Sequence, residues 1–177
     1  MTGVVGHPGP LLATLGDVVY QDGDVRKYEI PTLRKLWKWC KSHRGDVVLY
    51  CHTKGVSHPS PKRTAWRHLM ERWVVERWRE NLSLMRDHDI TGVNYMHRRG
   101  KWFRPIFGGN FWMARADWIN RLSSPTEYQK PFPAHRKRFS AEMWPLSASG
   151  YRYVSLCCEG ERIGRASVIF KMLRREP

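Results

Sequence analysis

Apolar positions recur along the chain at two periods, and the switches between them outline alternating strands and helices. Val4-Val5 and Val18-Val19-Tyr20 are short β-branched runs set off by glycine and proline turns, which predicts two strands near the start. From Pro31-Thr32 onward, Leu33, Leu36, Trp37 and Cys40 fall at i, i+3, i+4 and i+7, the spacing of one helix face, with Pro31 at the opening turn. Arg44-Gly45-Asp46 reads as a turn. Val47-Val48-Leu49-Tyr50 is continuously apolar, as in a strand buried on both faces. A Pro-rich loop, Ser57 to Lys62, leads into one long helix over residues 63–87. Its buried stripe is Trp66, Met70, Trp73, Trp78, Leu82 and Met85, opposite a face rich in arginine.

Beyond it, Thr91 to Tyr95 reads as a strand and His97 to Lys101 as a basic turn. Residues 102–112 read as a strand broken at Gly108-Gly109, 116–122 as a helix and 123–140 as a loop rich in proline, lysine and arginine. Glu142 precedes a short helix or turn, and residues 152–158 and 166–171 alternate like strands. The pattern predicts an α/β fold, a mixed sheet flanked by helices, in a single domain spanning residues 1–177. In such sheets ligands bind at the carboxyl ends of strands, which directs attention to His52-Thr53-Lys54-Gly55 and to Gly108-Gly109-Asn110.

Composition adds three constraints. No apolar run nears the roughly 20 residues that cross a bilayer, and the first ten residues lack the basic start and apolar core of a secretory signal, so the expected location is cytoplasmic. The four cysteines show no Cys-x-x-Cys spacing and read as reduced packing residues. Charge changes the picture most. Lys plus Arg is 31 against 16 Asp plus Glu, a net charge of +15, and so strong a positive field points to a polyanionic partner, nucleic acid ahead of an anionic membrane surface. The nine tryptophans offer stacking surfaces for bases or sugars, although the patterning assigns most of them to the core.

The residues able to do chemistry form three blocks. At the end of a strand, Lys54 can neutralise a diphosphate, Thr53 can hydrogen-bond it and Gly55 lets backbone approach; the same tetrapeptide also suits a loop with one solvated lysine. In Gly108 to Ala114 two glycines permit unusual backbone angles beside a ligand, Asn110 offers a donor and an acceptor, and Trp112 offers a stacking face; a bulged strand with a core tryptophan fits equally. In Ala141-Glu142-Met143-Trp144 an acid between apolar neighbours suits general-base duty, or simply a helix start. Asp22-Gly23-Asp24 can hold a divalent metal or make an ordinary Asp-Gly turn.

Together these blocks resemble glycosyltransferase-like proteins of bacteria and viruses. The matching segments are Glu29 to Leu33, Val48 to Gly55, Trp66-Arg67 with Met70, Gly109 to Ala114, and Ala141 to Trp144, in order over residues 28–145. The resemblance implies a minimal GT-A, Rossmann-like fold that binds a nucleotide sugar, a UDP-sugar first. His52, Thr53, Lys54, Gly55, Gly109, Asn110 and Trp112 would lie at the donor, and Glu142 would be the base of an inverting transfer. Where such enzymes carry an Asp-x-Asp metal motif, this chain has Cys51-His52-Thr53. Either Lys54 replaces the charge of a Mn or Mg ion, or the ion is held elsewhere, with His52 or with Asp22 and Asp24. The resemblance extends to compact phage enzymes that glycosylate 5-hydroxymethylcytosine in DNA, an acceptor in keeping with the charge. Lys62, Arg63, Arg67, Arg98, Arg99, Arg136, Lys137 and Arg138 are the expected phosphate contacts, or else solvated faces. The rival expectations are a surface glycan or protein as acceptor, and a non-catalytic nucleic-acid-binding domain.

Overall fold

A computed structural model describes residues 2–5, 18–22, 24, 27–52, 60–97 and 105–157. The fold is mixed α/β. Strand β3 (Val47–Tyr50), β4 (Ile90–Gly92), β7 (Trp112–Arg115) and β8 (Tyr153–Ser155) form a four-stranded sheet in the order β3-β7-β4-β8. β7 runs antiparallel to both β3 and β4, pairing Tyr50 and Gly92 with Trp112, while β8 lies parallel to β4. The carboxyl ends of β3 and β4 therefore meet the amino end of β7, at one edge of the sheet. Two smaller sheets accompany it, a parallel pair β1 (Thr2–Val5) with β2 (Val18–Asp22) and an antiparallel pair β5 (Tyr95–His97) with β6 (Pro105–Phe107).

Helix α1 (Ile30–Ser42) starts with Pro31 in its first turn, as the sequence predicts, and buries Leu33 and Cys40 against the sheet, with Leu36 and Trp37 packed alongside. Helix α4 (Ala116–Arg121) follows β7 directly and packs beside α1. Three tryptophans of this core each donate their indole N–H to a chain carbonyl: Trp37 to Leu122 (3.0 Å), Trp118 to Pro145 (2.8 Å) and Trp144 to Ser123 (2.8 Å). The large rings thus fill space and also tether the connections around α4.

Several expectations are corrected. β3 is not buried on both faces: it lies at the sheet edge, and Leu49 is 36% exposed between buried Val48 and Tyr50. The long helix is three pieces, α2 (Pro61–Met70), a π-helical turn (Glu71–Glu76) and α3 (Trp78–Leu84), with Arg77 out of helical geometry between the last two. That break rotates the stripe, so Trp78 and Leu82 are exposed (40% and 42%) while Ala65, Leu69, Met70 and Val74 are buried. The strand expected at Thr91 to Tyr95 is divided at Asn94, whose φ of +52° turns the chain from β4 into β5. The loop expected over 123–140 contains α5 (Pro125–Gln129), a 3₁₀ turn (Ala134–Arg136) and the start of α6 (Lys137–Met143). Residues 166–171 lie outside the described segments.

Candidate functional site

A hydrogen-bonded polar network occupies the edge where β3 ends and β7 begins. Asn110 precedes β7 in a left-handed conformation (φ +59°), directly after Gly109 (φ +85°), and both angles suit those residue types. The Trp112 indole N–H donates to Asn110 Oδ1 at 2.9 Å. Because an indole can only donate, that bond fixes the amide, and Asn110 Nδ2 then donates to Glu29 Oε2. The Tyr50 hydroxyl donates to the same carboxylate oxygen at 3.0 Å. Burial, reinforced by the Glu29 charge, raises the Tyr50 pKa well above the ordinary phenol value, so this hydroxyl stays protonated. Glu29 itself caps the start of α1, its carbonyl accepting from the Leu33 N–H at 3.0 Å.

His52 completes the group two residues past β3. Its Nε2 lies 2.9 Å from the Gly109 carbonyl and 3.7 Å from Glu29 Oε1. The ring rests near Phe111 (centroids 5.5 Å) and Tyr50 (6.3 Å). Asn110 and Trp112 are 1% and 0% exposed, whereas the side chains of His52 and Glu29 are each 20% exposed. The network thus has a sealed end in the core and an open end carrying an imidazole and a carboxylate.

The glycine turn is held from its other side by α2. A Cβ on Gly109 would press into the Met70 sulfur and come within 3.0 Å of the Trp66 indole nitrogen. One on Gly108 would meet Trp66 and Asn94 Nδ2, each at 3.1 Å. The turn is therefore glycine because the α2 side chains Trp66 and Met70 lie against its backbone.

The fold brings together His52, Gly109, Asn110 and Trp112 of the expected donor-site residues; Thr53, Lys54 and Gly55 lie outside the described segments. Two expected roles change. The Trp112 face stacks on Tyr50 (centroids 5.0 Å, 19° between planes) inside the core, so it is not a platform open to a sugar or base. The Asn110 amide already holds Glu29 and Trp112. Glu142 is half-buried and penultimate in α6, which packs on α5 and β6. Its position excludes the dipole partnership of a helix start, since it sits in the last turn.

Among the phosphate candidates, Lys62 and Arg63 stand exposed in the first turn of α2. Arg67 pairs with Glu71 at 3.3 Å. Arg136, in the 3₁₀ turn, points its Nε at the His135 ring (3.4 Å), and Lys137 and Arg138 are exposed at the start of α6, Arg138 over the Phe139 ring. Arg98 and Arg99 lie outside the described segments. No group of three or more metal-ligating side chains occurs among the described residues. A second Asp-x-Asp, Asp87-His88-Asp89, escaped notice in the sequence. It precedes β4, at the end of that strand away from the network, and Asp89 accepts the Arg152 backbone N–H at 2.8 Å, a structural clamp between β4 and β8.

Sequence reasoning also missed Glu29 as a functional residue, although it heads one of the matching blocks. The only local signal is an acid immediately before a predicted helix, which ordinarily means a dipole partner. Its partner Asn110 is 81 positions away.

A family model for a domain of unknown function, DUF8361, matches residues 19–152. The chain belongs to that family. The DUF8361 segment takes in Glu29, Tyr50, His52, Gly109, Asn110 and Trp112, and Glu142 as well. No curated protein and no solved structure matches the chain.

Proposed function

We propose that this DUF8361 protein is a glycosyltransferase that moves a sugar from a nucleotide sugar, a UDP-sugar first, to a hydroxyl on a modified DNA base such as 5-hydroxymethylcytosine. One observation carries the reading. Four of the five sequence blocks that resemble glycosyltransferase-like proteins, far apart in the chain, meet at one place: Glu29, His52, Trp66 with Met70, and Gly109 to Trp112. The carboxylate and the imidazole stand at its part-exposed end, where a ligand can meet them. The site lies at the carboxyl ends of β3 and β4, where α/β sheets bind ligands.

In this reading the open end of the network receives the donor, and Lys54, two residues beyond His52, supplies charge to the departing diphosphate. Glu142 takes the proton of the acceptor hydroxyl as its oxygen attacks the anomeric carbon and the nucleotide diphosphate leaves, inverting that centre. A Mn or Mg ion, held with His52 or by Asp22 and Asp24, would supply further positive charge there. The net charge of +15 supports a polyanionic acceptor rather than a neutral glycan. No helix among the described residues is long and apolar enough to cross a membrane, in keeping with an enzyme that meets its DNA in the cytoplasm.

The test incubates the protein with a panel of UDP-sugars and DNA containing 5-hydroxymethylcytosine, digests the DNA and weighs the nucleosides. A sugar-sized mass gain that disappears in Glu142→Ala is the expected result. Release of UDP without a gain on DNA would move the acceptor to a glycan or protein. DNA binding with no affinity for any nucleotide sugar would leave a binding domain and no enzyme.

A further inference from the structure

The hydrogen bonds around His52 determine which of its nitrogens carries the proton. The Gly109 carbonyl can only accept, so Nε2, 2.9 Å away, must donate. Glu29 Oε1, 3.7 Å from the same nitrogen, adds negative charge on that side. Glu29 can hold this position because its other oxygen is fixed by Tyr50 and by Asn110, whose amide is in turn fixed by Trp112. The donors thus converge on the Glu29 carboxylate and the Gly109 carbonyl, and the neutral His52 ring keeps its lone pair on Nδ1. Among the described residues Nδ1 has no partner.

We infer that the Gly109 carbonyl, with the Glu29 carboxylate as a positioning charge behind it, holds His52 in the Nε2–H form, so that Nδ1 accepts a hydrogen bond from a hydroxyl of the bound nucleotide sugar. The inference rests on the proposed glycosyltransferase reading for the ligand, and on the network alone for the tautomer. An imidazole nitrogen with a free lone pair selects a hydroxyl or N–H over a phosphate oxygen, which has no proton to give. His52 thus suits a sugar ring rather than the diphosphate. Protonating Nδ1 would turn the acceptor into a donor and remove that selectivity. The groups facing the ring are Glu29 from the start of α1, Tyr50 from β3, and Phe111 with the Gly109 carbonyl from the approach to β7.

The test uses the full chain labelled with ¹⁵N-histidine, with the His52 signals assigned by their loss in His52→Gln. At a pH where the ring is neutral, the expected spectrum has a protonated Nε2 and an unprotonated Nδ1, and saturating UDP-glucose shifts the Nδ1 signal. Glu29→Gln removes the charge but leaves the Gly109 carbonyl on Nε2, so it should admit a minor share of the Nδ1–H tautomer and weaken UDP-glucose by less than about tenfold. Tyr50→Phe, which removes a donor but leaves the carboxylate facing His52, should keep the tautomer. A full shift with UDP alone assigns the hydroxyl to the ribose, and one seen only with UDP-glucose assigns it to the transferred sugar. A protonated Nδ1 in the unliganded protein overturns the inference, as does an Nδ1 signal that ignores UDP-glucose while tryptophan fluorescence reports its binding; in both cases the transferase reading survives. UDP-glucose that disturbs no signal at all overturns the donor reading together with this one. If Glu29→Gln does not fold, the wild-type tautomer and its response to UDP-glucose decide the matter.

Discussion

Asn110 joins several requirements in one residue. Its backbone needs the left-handed region, its amide joins two core partners in opposite senses, and it is 1% exposed. Asn110→Ala should therefore cost about 3 kcal/mol, from two lost hydrogen bonds, the partners left unsatisfied and a side chain that tolerates the left-handed region less well than asparagine. Asn110→Gly loses the bonds but not the backbone fit and should cost about 1 kcal/mol less, a difference that urea unfolding resolves. An equal cost for the two would remove backbone strain from the account. Cys40 shows a different kind of constraint. It is fully buried in α1, and burial, with Asp46 nearby, pushes its thiol from the ordinary 9.0 up to about 11. The folded state then keeps a proton that the unfolded chain releases above pH 9. The stability this contributes is intact below that pH and is lost as pH rises through about 11, by about 2 kcal/mol near pH 10.5. Tyr50, whose pKa is also raised, acts in the same direction. Unfolding curves at pH 8 and 10.5 should show the drop, and Cys40→Ala should make it shallower.

At the scale of elements, the π-helical turn between α2 and α3 depends on one buried side chain. Asn81, 3% exposed, donates from Nδ2 to the carbonyls of Trp73 (2.7 Å) and Val74 (3.2 Å), which lie within the π turn. Asn81→Ala leaves both without this donor and should cost about 1–3 kcal/mol. Leu82→Ala, on the exposed side of the same helix, should cost well under 1 kcal/mol. Denaturant midpoints for the two variants compare them directly, and an equal loss would mean that Leu82 packs in solution and that the long amphipathic helix was the better description. The sequence suggested that helix because Trp78 and Leu82 continue the apolar period, and no proline or glycine marks the break at Arg77. By contrast α1, α4 and β3 were legible as elements: α1 keeps one period and carries Pro31 at its start, β3 is an unbroken apolar run just after Gly45, and α4 ends within one residue of its expected range. α5 was legible in principle: Ser124 accepts the Glu127 N–H at 3.2 Å just before Pro125, as Ser60 accepts the Arg63 N–H at 3.3 Å before Pro61. Pro61 and Pro125, which open helices, were read as loop residues. The site was half legible. Its histidine, glycines and asparagine stand out in short blocks, but the carboxylate joining them is identified only by contacts across 21 and 81 positions, and local patterns carry no such information.

At the scale of the whole molecule, the net charge of +15 is too large to be balanced by the ion pairs the fold makes. Arg67 and Arg77 are each drawn to a glutamate on their own helical segment. The run Arg136-Lys137-Arg138 instead gathers three cations at consecutive positions, the second and third exposed, with Glu142 four residues beyond Arg138. Within a Debye length of about 8 Å at physiological salt, three consecutive cations act on a phosphate backbone as a unit, whereas the single Arg67 is partly cancelled by Glu71 before the DNA arrives. The two kinds of cation should therefore differ in how they respond to salt. Each phosphate neutralised lowers the slope of log K against log salt by about 0.9 on duplex DNA. Replacing Arg136, Lys137 and Arg138 together by alanine should flatten that slope by about 2–3, while Arg67→Ala should change it by less than about 0.5. Fluorescence anisotropy on an unmodified duplex between 50 and 200 mM salt measures both. If the triple variant keeps the parent slope, the run does not face DNA and the phosphate contacts must be sought on α2. If neither the parent nor any variant shows salt-dependent binding, the charge serves something other than nucleic acid, and the case for a DNA acceptor loses its support while the donor site keeps its own.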